Sequence, residues 1–237
     1  MISTFVAAGT GVGGLAVGAL LLGAYDPNSP IFGPVTGRGP RTARHVYLTF
    51  DDGPNPRATA PILETLAEHD VPATFFMVGE HVRRFPDVAR AVVGAGHQIG
   101  NHTQHHVKLH NRGPRRIARE LTDAHATILE TTGVVPRIFR APHGYRNPFV
   151  QPVVRRLDYR VFGWTFGVWD TALPGPEVIR ARMRRKVRPG AILLLHDGDG
   201  YDPLGDRMQT AAALPGIIRD LRDDGYTFRP LADLLAA

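Results

Sequence analysis

Val46-Tyr47-Leu48-Thr49-Phe50-Asp51-Asp52-Gly53-Pro54 opens the folded part of the chain and sets its class. The apolar run Val46–Phe50 has strand length, and it stops at two adjacent carboxylates and a Gly-Pro pair, which break regular structure. The same alternation recurs downstream. Short apolar runs at 73–78, 97–99, 138–140, 160–162, 191–195 and 226–229 alternate with longer amphipathic stretches at 59–69, 87–95, 115–132, 148–157, 176–187 and 208–224. In 115–132, Ile117, Leu121, Ala124, Ile128 and Leu129 recur at helical spacing and give one buried face. Seven strands alternating with helices predict a parallel α/β architecture, in which catalytic groups collect where strands end and loops converge.

The remaining composition fits one such domain. The chain has 237 residues, of which 43% are hydrophobic and 21% charged, enough for a single sizeable core and too apolar for a disordered chain. It has no cysteine, which excludes a disulfide scaffold, a thiolate nucleophile and a Cys-based zinc site, so any metal must be held by His, Asp or Glu. Lys and Arg outnumber Asp and Glu by 28 to 22, for a net charge of +6, and acidic partners such as lipid headgroups or wall polymers are compatible with that surplus.

Upstream of the domain, Met1 to Tyr25 carries no charged residue, and 4–25 is almost wholly apolar or small. That length suits a membrane-spanning helix; a cleaved signal is the rival, but the basic flank it wants is missing. The segment 1–25 is therefore expected to be an anchor or signal-like helix in contact with the membrane through 4–25. Residues 26–44, rich in Pro, Gly and Arg, are expected to form a linker along the domain or membrane surface, and 45–237 to form the catalytic domain. Arg38, Arg41 and Arg44 are the first positive charges after the run and, by the positive-inside bias, favour a cytoplasmic domain.

Five polar clusters follow the apolar runs. Asp51-Asp52 repel each other unless a cation or a proton intervenes; a solvated turn is the plainer reading. Asn101-His102-Thr103-Gln104-His105-His106 places two imidazoles four residues apart, a spacing able to aim both at one ion, with His105 a geometric competitor. Arg140 in Phe139-Arg140-Ala141-Pro142-His143-Gly144-Tyr145 can pair with a carboxylate. Trp164, Phe166 and Trp169 surround the lone acid Asp170; core packing is the expected role of Trp164 and Phe166. His196 ends the run Ala191–Leu195.

In this order the clusters resemble the motifs of the polysaccharide deacetylases, carbohydrate esterase family 4 with its NodB-homology domain, from about Val46 to Leu235. The resemblance implies a distorted (β/α)7-type barrel of parallel strands behind an N-terminal hydrophobic helix, and a divalent metal, in most members Zn2+. It implies Asp52, His102 and His106 as ligands, Asp51 as base, Arg140 as its partner, His196 as acid and Asp170 as the residue orienting it. The implied reaction is hydrolysis of N-acetyl groups on an amino-sugar polymer or lipid-linked amino sugar, with an extracytoplasmic domain, secreted if the N-terminal segment is cleaved. That placement conflicts with the positive-inside signal. Two departures concern the groove wall: His143 stands where members commonly carry an aromatic residue, and Asp170-Thr171 where they carry Asp-Trp. A deformylase or related amidase using the same site is one alternative reading. The other is an inactive membrane-tethered binding module for glycans or, in view of the arginine surplus, nucleic acid; a nucleic-acid partner is not expected.

Overall fold

A computed structural model of the chain describes residues 17–235. Its frame is a sheet of parallel strands: β1 (His45–Asp51), β2 (Ala73–Met77), β3 (Gln98–Asn101), β4 (Ile138–Phe139), β5 (Arg160–Val161), β6 (Phe166–Gly167), β7 (Ala191–His196) and β8 (Thr227–Phe228). Strand order is β5-β4-β3-β2-β1-β7-β6, with β8 paired to the start of β1. Seven parallel strands thus form a half-barrel, and β8 is an outrigger. The expected strand count of seven holds for the barrel with one exchange: 226–229 supplies the outrigger, and the seventh barrel strand is the two-residue β6.

The helices cover the outside. They are α1 at 17–25, α2 (Thr59–Glu68), α3 (Gly79–Arg84), α4 (Pro86–Gly94), α5 (Pro114–Thr132), α6 (Val150–Arg156), α7 (Pro176–Lys186) and α8 (Met208–Asp223). α5 begins with Pro114, whose fixed φ suits the first helical position, and ends at Gly133 in the left-handed conformation that a side chain would resist (φ 74°). Its predicted apolar face is buried through Ile117, Leu121, Ala124 and Ile128. The central strands are covered on both faces, which explains why β1, β2 and β7 read as continuous apolar runs.

Register places the site. β1 lies between β2 and β7 with Asp51 opposite both Phe76 and His196, and the next pairs bring Met77 beside Asn101 and Asn101 beside Phe139. The polar clusters that follow these strands therefore emerge at one level on one edge.

Among the described residues no helix is long and apolar enough to cross a membrane; the span expected at 4–25 lies mostly outside them. Residues 26–44 lie along the domain and are tied into it. Thr36 bridges Phe162, Arg38 bridges Ala191, Gly39 N–H donates to Gly190 O at 2.8 Å, and the Asn28 amide donates to Trp164 O at 2.9 Å. The segment lines the interval between β5 and β6, where the half-barrel is open.

Candidate active site

Oxygen and nitrogen atoms of Asp52, His102 and His106 converge at the end of β1 and in the loop after β3, all within 4.8 Å of one another and all buried. His102 Nε2 lies 3.3 Å and His106 Nε2 3.0 Å from Asp52 Oδ1. The tautomer of His102 is set by its other nitrogen: Nδ1 faces the Arg140 carbonyl at 2.8 Å and must donate to it, which leaves the Nε2 lone pair facing inward. Burial pushes the Asp52 carboxyl up, but His106 and His102 beside it outweigh that and hold it well below the usual carboxylate range. Asp52 Oδ1 is also a buried oxygen with no hydrogen-bond donor, as expected of an atom disposed toward a cation. Two imidazoles and one carboxylate at this separation fit a divalent ion with positions left for other ligands.

Asp51 sits beside this group with a different partner. Its Oδ1 accepts from Arg140 Nη1 at 2.6 Å, and the same nitrogen reaches Thr49 Oγ1 at 2.8 Å. Arg140 is fully buried, donates through Nη2 to Gly163 O, and lies over the Phe76 ring at 4.1 Å. Held by this fork, Asp51 keeps its second oxygen 3.8 Å from His102 Nε2. Next to Asp51 in the sheet register stands His196, and Asp170 accepts from the His196 backbone N–H at 2.8 Å, from its Nδ1 at 2.9 Å and from Thr210 Oγ1 at 3.0 Å. Burial pulls the His196 imidazolium down, yet Asp170 and, beyond it, Asp52 and Asp51 outweigh burial and push it up to about 9.

Every residue that the motifs named is thus brought together: Asp51, Asp52, His102, His106, Arg140, Asp170 and His196. His105 is not. It turns away to Glu120 Oε1 at 3.0 Å, and its side chain is 45% exposed, so the choice between His105 and His106 is decided by the fold. His97 packs against Phe75, away from the site. Trp164 and Phe166 pack in part against the core, as expected, and also line the cleft.

Other residues were not singled out from sequence. His81 donates from Nδ1 to the Asp52 carbonyl at 2.8 Å, and Thr49 backs Arg140. Glu120 accepts from His105 N–H at 2.9 Å while its backbone carbonyl accepts from Gln104 N–H at 3.0 Å, pinning the His loop from α5. Tyr201 meets His143 Nε2 at 2.8 Å above His106. Only Glu120 left a trace in the sequence, as an acid on the otherwise apolar face of α5. The backbone itself is distorted here: Asp52, Thr103, His106, His143 and Trp169 all hold positive φ between 51° and 74°, a conformation that costs non-glycine residues energy.

Above the converging groups opens a cleft of about 630 Å3, walled by His143, Tyr145, Trp164, Trp169, Leu194 and Tyr201. A parallel half-barrel thus carries at its strand tips an Asp-His-His cluster able to hold a metal ion, an Arg-clamped carboxylate and an Asp-held imidazole, the groups of a hydrolase. The polysaccharide deacetylase family model matches residues 38–162. A chitooligosaccharide deacetylase of Sinorhizobium fredii is 38% identical over 84% of this chain and 94% of its own, and a peptidoglycan-N-acetylglucosamine deacetylase of Bacillus cereus is 35% identical over 86% and 93%. Among solved structures, a pseudoenzyme of carbohydrate esterase family 4 from Bacillus anthracis superposes with a TM-score of 0.76 at 29% identity, covering 84% of this chain and 68% of that one. The chain belongs to the polysaccharide deacetylase family and is a hydrolase acting on carbon-nitrogen bonds of carbohydrate amides.

Proposed function

We propose that the protein removes N-acetyl groups from N-acetylglucosamine units of a glycan, of the chitooligosaccharide or peptidoglycan kind on which its relatives are named to act. The observation that carries this is the gathering of the Arg-clamped Asp51 and the Asp-held His196 with the Asp52-His102-His106 cluster in the lining of one cleft. These three residues would hold the divalent ion, for which we favour Zn2+. When bound, it supplies Lewis acidity toward a water and toward the acetamide oxygen.

The protein's own groups perform the proton transfers. Asp51, whose Oδ1 is fixed by Arg140, takes a proton from the attacking water on its other oxygen as the water oxygen bonds to the acetamide carbon. Charge that builds on the former carbonyl oxygen is met by a backbone N–H of the turn at His143, where Gly144 and Tyr145 already use theirs on Ala141 and Pro142. The carbon-nitrogen bond breaks as His196 gives its proton to the leaving nitrogen, since an amine anion is too basic to depart alone. Its elevated pKa keeps the ring charged at neutral pH, and Asp170 holds it by Nδ1 so that Nε2 faces the cleft. Acetate and a free amino sugar result. The cleft walls, with exposed Trp169 and Tyr201, offer aromatic faces to a pyranose ring.

For location, we propose that the uncharged run 4–25 enters a membrane and that the catalytic domain lies on its outer side, where these glycans are found. The test of function is acetate release from chitin oligomers and peptidoglycan fragments, with metal content measured on the same samples. Asp52→Ala should lose both metal and turnover; a variant that keeps full activity overturns the assignment. Release of formate in preference to acetate from matched amino sugars would favour the deformylase reading.

A further inference from the structure

The uncharged N-terminal run does not pass into a free tether. Arg146 is buried, its backbone N–H donates to Ala24 O at 3.1 Å, and its guanidinium donates to Ser29 O at 2.5 Å, so one residue of the cleft-wall loop grips both ends of 24–29. Asp26 N–H closes α1 on Leu22 O at 3.0 Å, and Gly23 packs so closely against Phe32 and Ile31 that a Cβ there would collide with the Phe32 ring. The Tyr25 ring sits against His110 and Tyr145, with centroids 5.1 Å away in each case. From Tyr145, the rings of His143 and then His106 follow at 5.5 and 5.0 Å. Three ring-to-ring steps therefore join the end of α1 to a residue of the candidate metal cluster.

The exposed side of the same segment is apolar. Val17, Leu20, Leu21, Leu22 and Tyr25 are each about half exposed, and Ile31 beside Gly23 is 46% exposed. Residues 1–16, which precede them, add no charge. The occupant that suits an uncharged run of this length, ending in an aromatic ring and a first charge at Asp26, is a lipid bilayer with Tyr25 at its interface. A free linker over 26–44 would let the domain roam by roughly 25 Å; the docked segment allows no such freedom. It begins at the cleft rim beside Tyr145 and leads to His45, where β1 starts at the opposite end of the strand from Asp51.

We propose that this clamp holds the cleft at the level of the lipid headgroups, so that the substrate is an N-acetylated amino sugar carried on a lipid at the bilayer surface. The inference rests on the deacetylase and membrane readings above, and the experiment separates the three. The full chain is reconstituted in vesicles of phosphatidylethanolamine and phosphatidylglycerol. One set of vesicles carries N-acetylglucosamine linked directly to a lipid, a second carries it on a long polyethylene glycol spacer, and a third is given soluble chitotetraose. The expected result is co-flotation with vesicles and turnover of the directly linked sugar about tenfold or more above the spaced one at equal surface density. A flexible Gly-Ser insert between Tyr25 and Asp26, which parts the two ends of the clamped segment 24–29 and leaves the backbone ties of Thr36 and Gly39 in place, should remove that preference and leave kcat/KM on soluble chitotetraose unchanged. Co-flotation without any preference for the directly linked sugar overturns the inference. Failure to float overturns the membrane reading on which it stands, and inactivity toward all three substrates overturns the deacetylase reading.

Discussion

Asp170→Asn separates the proposed acid from the charge that keeps it protonated. In the native chain Asp170 lies 2.9 Å from His196 Nδ1, and against the downward pull of burial it pushes the imidazolium up to about 9. A ring with that pKa is about nine-tenths protonated at pH 8. The substituted amide keeps the shape and an acceptor oxygen but no charge, so burial is opposed only by Asp52 and Asp51 and the ring falls toward its ordinary value of about 6.5. At 6.5 it is about 3% protonated at pH 8 and about three-quarters protonated at pH 6, so the supply of acid falls about thirtyfold at pH 8 but less than about twofold at pH 6. A group with a raised pKa donates below that pKa and fails above it, so the alkaline limb of kcat should move from near 9 toward neutrality. Acetate release at saturating substrate between pH 6 and 9 measures it. Stability follows the same sign: the coupling contributes fully below about 6.5 and fades as pH rises through about 9, so wild type and variant should converge in Tm above that point. A loss of activity that is the same at pH 6 and pH 8, with the alkaline limb unmoved, would refute the role of Asp170 in charging His196.

Three further outcomes follow from the site. Arg140→Met leaves the buried Asp51 without its ion partner and should cost about 3–5 kcal/mol in denaturant titration, with loss of turnover; Arg140→Lys restores charge but not the fork and should recover stability better than activity. Glu120→Gln removes the anion that holds His105 and Arg116 beneath the His loop, and metal affinity measured by chelator competition should fall about 10- to 100-fold while the metal-saturated enzyme keeps most of its kcat. Burial, with Asp52 and Asp51 adding, pushes the Asp197 carboxyl up to about 7, so it stabilises the fold as an acid and that stability is lost as pH rises from the usual carboxylate range through 7. Asp197→Asn should therefore gain on wild type at pH 8 relative to pH 5, by on the order of 2 kcal/mol in denaturant titration; equal shifts at both values would count against a neutral Asp197.

What the sequence made legible depended on side-chain pattern. β1, β2 and β7 are buried on both faces and show as apolar runs, and α5 shows as a period; the carboxylates and imidazoles stand out because they interrupt those runs. Phe166–Gly167 is too short to carry any period, so β6 escaped notice although it completes the barrel. The sequence left open whether 26–44 follows the domain or the membrane surface, because Thr36, Gly37 and Gly39 are held through backbone groups, which leave no mark on residue type. Spacing offered both His105 and His106 as partners of His102. The decision between them came from Glu120, fifteen positions beyond His105, and from the left-handed backbone at Thr103 and His106, neither of which a local pattern encodes.

The pseudoenzyme with the same architecture shows that this barrel can persist without activity, so the fold alone does not decide between a catalyst and a binding module. The energetics of the site do. Asp51, Asp52, His102, His106, Arg140 and Asp170 are all nearly inaccessible, and burying charged groups costs several kcal/mol per ion unless each finds a partner. Two of them, Asp52 and His106, and their neighbours Thr103, His143 and Trp169 hold left-handed backbone, at about 1–3 kcal/mol each. A glycan-binding surface needs aromatic faces and hydrogen-bonding edges, which the walls of the cleft supply without any of this. Ionised groups held at fixed separations, with Asp52 Oδ1 left without a donor and Asp51 fixed by one oxygen only, serve a reaction in which charge moves. Were binding the only task, replacing Asp51 and Arg140 together by Asn and Met would relieve the buried charge and leave glycan affinity untouched; for a catalyst the same pair of changes ends acetate release while oligosaccharide binding persists.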